Sequence, residues 1–97
     1  MVGGTVERIA LRLGEELTIP LEENRTTGYS WRFEVPPVLE MVREDHERPP
    51  DRIGAGGRGT FRFRARALGR DRLIALYERP WEPEPAGRRD WEIVVER

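Results

Sequence analysis

Cysteine is absent from this sequence. No disulfide framework, cysteine metal site or thiol nucleophile can therefore be built. Lysine and glutamine are absent as well, and all 17 basic residues are arginine. That bias suits a GC-rich genome, or a hot environment where labile residues are scarce and ion pairs are many. Histidine, serine and asparagine occur once each, as His46, Ser30 and Asn24. One histidine without cysteine argues against zinc. Ser30 falls inside a strand pattern, with no strand-to-helix turn to raise it as a nucleophile. No apolar run approaches a membrane span, and Met1-Val2-Gly3-Gly4 lacks the form of a signal peptide. A chain that begins here is expected in the cytoplasm; one that has lost a leader would be periplasmic or secreted. The net charge of −1 gives no whole-chain field to attract nucleic acid or anionic membrane, so neither is an expected partner.

What is present is a run of short alternating segments separated by turn residues. The 97 residues suit one domain, read as residues 1–97, with a modest core. Thr5 to Leu13 reads as a strand with Ile9, Leu11 and Leu13 on one face, broken by Gly14. Glu16 to Leu21 alternates again, with Leu17, Ile19 and Leu21 inward and Pro20 outward, which suggests an edge. A polar turn, Asn24 to Gly28, leads into a strand with Trp31, Phe33 and Val35 on one face. Gly28 is suited to a tight reversal because it takes positive φ without a Cβ clash. Val38 to Asp45 fits a strand or a single helical turn, and we read it as a strand. His46 to Gly59 reads as a long loop. Thr60 to Ala67 places Phe61, Phe63, Ala65 and Ala67 on one face, and Leu68 to Asp71 reads as a turn. Leu73 to Glu78 is apolar on both faces, as a central strand is. Arg79 to Arg88 reads as a Pro-rich loop, and Asp90 to Glu96 as a last strand. About seven to eight such strands, and no convincing helix, predict an all-β sandwich. In that arrangement the loops 24–29, 46–59 and 79–88 share one end, and they are the most unusual loops in the chain.

Enzyme chemistry finds little support. Gly54-Ala55-Gly56-Gly57-Arg58-Gly59 matches G-x-G-x-x-G, but a strand pattern follows where a dinucleotide site needs a helix. Bare backbone in that loop would instead let a partner lie against it. The carboxylates are spread along faces that read as solvated, and no acid–base pair stands out. The Arg62/Arg64/Arg66 stripe could touch phosphates, but cross-strand pairing with glutamates of a neighbouring strand suits the near-neutral chain better.

Taken together, the three loops resemble a known family. Asn24-Arg25-Thr26-Thr27-Gly28-Tyr29-Ser30-Trp31 looks like its NPTTGYxW motif. Gly54-Ala55-Gly56-Gly57 looks like its G-x-G-G motif. Arg79-Pro80-Trp81, with Tyr77 two residues upstream, looks like its RPW motif. These mark the chagasin-type inhibitors of papain-like cysteine peptidases, and the resemblance runs from about Leu13 to the C-terminus. It implies an immunoglobulin-like sandwich without catalysis or cofactor, reversibly blocking a peptidase cleft with three loops and acting as a monomer. Thr26 would stand nearest the catalytic cysteine and histidine, with Thr27, Gly28 and Tyr29 completing and supporting the tip and Asn24 and Arg25 among the peptidase-binding residues. Gly54, Ala55, Gly56 and Gly57 would lie along one side of the cleft. Trp81, set by Arg79 and Pro80, would pack on the other. A protease–inhibitor interface buries about 800 Å² per partner, which three loops could supply. Arg25 departs from the family, which has proline there; it removes a φ lock and adds a charge. It also creates an N-x-T glycan acceptor at Asn24. The alternative reading is a non-inhibitory immunoglobulin-like module that grips another protein, and nucleic-acid binding through the arginine stripe is a distant third.

Overall fold

The computed structural model describes residues 6–24, 27–47 and 57–97. Seven strands follow in chain order: β1 (Glu7–Arg12), β2 (Glu16–Glu23), β3 (Ser30–Glu34), β4 (Leu39–Glu47), β5 (Gly57–Ala65), β6 (Gly69–Glu78) and β7 (Gly87–Glu96). They form two sheets, one in the order β1-β7-β6-β3 and the other β2-β5-β4. Four pairs are antiparallel, whereas β1 joins β7 in parallel register, with Ile9 beside Ile93 and Leu11 beside Val95. Pro20 sits on β2, an edge strand, where its missing N–H leaves no ladder bond unmade. β6 lies between β7 and β3, which explains why Leu73, Ala75 and Leu76 are all buried.

The core lies between the sheets. Ile19 and Leu21 of β2 and Phe61, Phe63 and Ala65 of β5 face Leu73 and Ala75 of β6 and Trp91, Ile93 and Val95 of β7 in one cluster. Phe33 of β3 reaches across the sandwich, its ring centroid 4.7 Å from Phe61, 5.2 Å from Phe63 and 6.5 Å from Trp91. Alternation is thus the fold's main determinant: every second residue of β5 enters the core and the arginines between face water. Those arginines meet carboxylates across the strands. Arg64 lies 3.3 Å from Glu16 and 3.6 Å from Glu40, and Arg62 3.8 Å from Glu16. All are well exposed, so each pair contributes about 0–1 kcal/mol.

Several boundaries differ from the sequence reading. The 46–59 segment is not all loop, because His46 and Glu47 belong to β4 and Gly57, Arg58 and Gly59 to β5. The glycines do not end the hairpin arm; Gly59 continues it, opposite Leu21 on one side and His46 on the other. Gly69, Arg70 and Asp71 open β6 rather than forming a turn, since they pair with Val95, Val94 and Ile93. Gly87 and Arg88 open β7. Leu13 and Val35 lie beyond the ends of their strands and are exposed. The carboxylates are not all solvated, for Glu23 is buried.

Two measurements test this packing. Phe63 is fully buried, so Phe63→Ala is expected to lower the unfolding free energy by about 3–5 kcal/mol in urea titration. A loss below about 1 kcal/mol would place Phe63 outside the core. The Arg88 guanidinium, bonded to Asp90, holds that carboxyl below its ordinary range against the opposing effect of burial. The depressed value means that this contribution is present above about pH 4 and is lost as pH falls. Asp90→Asn is therefore expected to flatten the fall in stability on acidification below pH ~4; an unchanged acid limb would contradict it.

Candidate functional site

Three connections leave the same end of the sandwich. In register, Glu23 of β2 stands beside Gly57 of β5, and Glu47 of β4 beside Arg58. Ser30 of β3 is opposite Glu78 of β6, and Tyr77 opposite Gly87 of β7. The 24–29, 48–56 and 79–86 connections therefore start and finish on one edge of the molecule. Of the expected contact residues, Arg25, Thr26, Gly54, Ala55 and Gly56 lie outside the described residues. Gly57 is within them, as the first residue of β5.

Tyr77 joins the first of these connections to the framework. Its hydroxyl accepts the Asn24 backbone N–H at 2.8 Å. Its ring is stacked on Tyr29 at 4.9 Å and lies 4.7 Å from Trp31. The Trp31 indole N–H in turn donates to the Glu22 carbonyl at 3.0 Å, tying β3 to the end of β2 across the two sheets. Within the loop, the Thr27 hydroxyl donates to the Asn24 carbonyl at 2.8 Å and the Thr27 N–H reaches the same oxygen at 3.3 Å.

Arg79 binds the first loop to the last. Its guanidinium lies 4.2 Å from the centre of the Tyr29 ring and donates to the Tyr29 hydroxyl at 2.8 Å. It also reaches the Thr27 carbonyl at 3.5 Å and Glu82 at 3.0 Å. The Tyr29 hydroxyl passes its own proton toward Glu82, 3.2 Å away. Burial works against the Arg79 charge, but hydrogen bonds to Tyr29 and Glu82 outweigh it, so the group sits above its ordinary value and remains a cation. Lysine lacks this planar fork and would not satisfy both partners. The Glu82 N–H bonds to the Arg79 carbonyl at 3.1 Å, closing a turn with Pro80 in its second position, where a fixed φ is favoured.

Trp81 stands at the corner of that turn, 67% exposed. Trp81 is therefore a surface residue rather than part of the core. Its underside rests on Gly28: a Cβ at that position would overlap one indole carbon and lie 3.2 and 3.3 Å from two others. Gly28 also has a φ of 88°, so it is glycine for two reasons. Sequence reading identified Gly28 for its turn but not for its contact with Trp81. It missed Glu82 altogether, although a carboxylate three residues after Arg79 was the available signal. Trp81 is also 5.6 Å from Arg79, so cation, two tyrosines and indole form one continuous stack. Such an arrangement offers a large apolar surface already held in place and carries no catalytic group of its own.

Gly28→Ala tests that preassembly. It is expected to cost about 1–2 kcal/mol in backbone conformation alone and to shift tryptophan emission as the indole is displaced. Unchanged stability and emission would show that Trp81 does not rest on Gly28.

Comparison with known proteins agrees with this geometry. The sequence matches the family described as Chagasin family peptidase inhibitor I42 over residues 10–95. It is 34% identical to chagasin of Trypanosoma cruzi over 80 residues, covering 75% of this chain and 73% of that protein. It is 31% identical to amoebiasin-1 of Entamoeba histolytica over 84 residues, covering 82% and 80% respectively. The fold is similar to that of the crystallised cysteine protease inhibitor EhICP2 of Entamoeba histolytica, with a TM-score of 0.84, 21% identity and coverage of 94% of this chain and 87% of that one. The chain thus belongs to the chagasin family of peptidase inhibitors, and its two sheets are those of that family's immunoglobulin-like sandwich.

Proposed function

We propose that residues 1–97 act as one reversible inhibitor domain that blocks the cleft of papain-like cysteine peptidases with the three connections at one end of the sandwich. The observation that carries this reading is the exposed Trp81 indole seated on Gly28 and aligned with Arg79 and Tyr29. An aromatic side chain that is exposed yet fixed loses little freedom on binding, which is how hot-spot residues gain their affinity. The residues between Asn24 and Thr27, including Arg25 and Thr26, would enter the catalytic centre. Asn24, Thr27, Gly28 and Tyr29 would hold them there. Gly54, Ala55, Gly56 and Gly57 would line one side of the cleft, and Trp81 with Arg79 and Pro80 the other. Inhibition by such a wedge is steric, so no bond is made or broken and the protein acts as an inhibitor rather than an enzyme.

The test is titration of papain with the pure protein, with a serine peptidase as control. Inhibition of the first alone is expected, and inhibition of neither would favour a module that grips some other protein. Trp81→Ala should raise the inhibition constant at least about thirtyfold, or about 2 kcal/mol, with an unchanged melting temperature. Loss of melting temperature with unchanged inhibition would remove Trp81 from the contact surface.

A further inference from the structure

His46 lies on β4, one residue before the strand ends, and its ring is held between two carboxylates. Its Nδ1 is 2.5 Å from Glu23 Oε2 on β2, and its Nε2 is 2.7 Å from Glu44 Oε2 on its own strand. The Glu23 side chain is only 2% exposed. Its other oxygen, Oε1, is buried without a hydrogen-bond partner among the described residues. Gly59 makes room for this carboxylate, since a Cβ there would stand 2.9 Å from Oε1 and 2.8 Å from the Phe61 ring. Phe61 closes one side of the cluster, with its ring edge-on to His46 at 5.7 Å. Glu23 immediately precedes Asn24, and His46 is two residues from the 48–56 connection. The contact therefore ties together the bases of two of the three loops, across a strand that separates them.

A neutral imidazole has one N–H and one lone pair, so it satisfies one carboxylate and repels the other. Only the imidazolium donates to both. A buried carboxylate without a counter-charge is costly, and among the described residues the histidine is the group placed to face it as a cation. Among the described residues, the other charged groups nearby are engaged or turned elsewhere. Asp45 is bonded to Arg43, and Arg58 lies between Glu22 and Glu47 in the register of the sheet, on the face away from Gly59. From the opposite sheet, β3 presents Phe33 to Phe61, while Arg32 turns outward to Glu78. The two ring nitrogens point to different carboxylates on opposite sides, so the groups do not converge on a point where a metal ion would sit.

We propose that His46 is a positioning residue for inhibition: as an imidazolium it staples the base of the 24–29 loop to that of the 48–56 connection, and it makes the inhibitor weaker as pH rises and the proton is lost. This rests on the inhibitory reading above. An ordinary histidine loses its proton near pH ~6.5. The staple is therefore complete in mildly acid solution and incomplete in alkaline solution.

The experiment has two arms. In the first, papain inhibition constants are measured at pH 5.5, 7.0 and 8.5 for the parent protein, for His46→Gln, which mimics the neutral ring, and for Glu44→Gln. Comparing variants at each pH cancels the peptidase's own titration. The parent is expected to inhibit at least about tenfold more tightly than His46→Gln at pH 5.5, a 1.4 kcal/mol effect, and within about twofold at pH 8.5. Glu44→Gln is expected to show the same trend at smaller size. A variant-to-parent ratio that stays constant with pH, or no difference at all, would overturn the proposal. The second arm needs no peptidase. As the sole histidine, His46 gives one ring resonance set, and NMR of the free protein is expected to show both ring nitrogens protonated at pH 6.5, and one of them no longer so in Glu23→Gln at the same pH. A neutral ring in the parent at pH 6.5 would overturn the staple even if inhibition is strong. A charged ring with no inhibition of papain at any pH would instead contradict the inhibitory reading.

Discussion

The hydroxyl of Tyr77 is where the sandwich becomes a site. Tyr77 stands on β6, an inner strand whose neighbours β7 and β3 fix its backbone on both sides. Its side chain is then a rigid post at the loop end. The hydroxyl satisfies the Asn24 N–H, the first backbone donor after β2 ends, and the ring carries Tyr29 on its face. Tyr29 carries Arg79, Arg79 is pinned by Glu82, and the turn this closes delivers Trp81 onto Gly28. Each link is short range, yet together they join residues fifty or more positions apart. Such order matters because fixing a loop residue costs roughly 1–2 kcal/mol, a cost that a preassembled surface has already met before a partner arrives.

The energy that holds this post upright comes from apolar burial rather than from the many charges. Phe61, Phe63, Leu73 and Ile93 are fully buried, and Phe33 interlocks the sheets above them. The arginine and glutamate ladders on the outer faces lie mostly in solvent, where pairs contribute little each. Their role is to keep opposite charges across neighbouring strands, which favours the observed register over a slipped one. The Glu23–His46 contact is the exception, since its carboxylate is turned inward at the loop end.

Much of this was legible in the sequence. Strict alternation in Phe61-Arg62-Phe63-Arg64-Ala65 specified both the strand and its buried face, and the apolar run from Leu73 specified an inner strand. The motif resemblance brought together Tyr29, Arg79 and Trp81, which the structure joins through direct contacts, and Asn24, which reaches them through Tyr77 and Thr27. Strand ends were less legible. Glycines at 57, 59 and 87 read as loop and Gly69 as turn, yet each lies in a ladder, because glycine is also tolerated in a strand where a neighbour needs its space. The burial of Glu23 left no trace in composition, since a carboxylate beside Glu22 reads as surface until the fold brings His46 against it. The parallel pairing of β1 with β7 is likewise a matter of topology, with no local signal in residues 7–12.

The central claim is that this loop end occupies the catalytic centre of a papain-like peptidase. The most direct measurement is the rate at which iodoacetamide alkylates papain's catalytic thiol, with and without the protein at about a hundred times its dissociation constant. Occupancy at that concentration leaves about 1% of the peptidase free, so alkylation is expected to slow by about a hundredfold. Full-speed alkylation of a peptidase that is nevertheless inhibited would mean that the loops bind elsewhere, and the account of the site would be wrong.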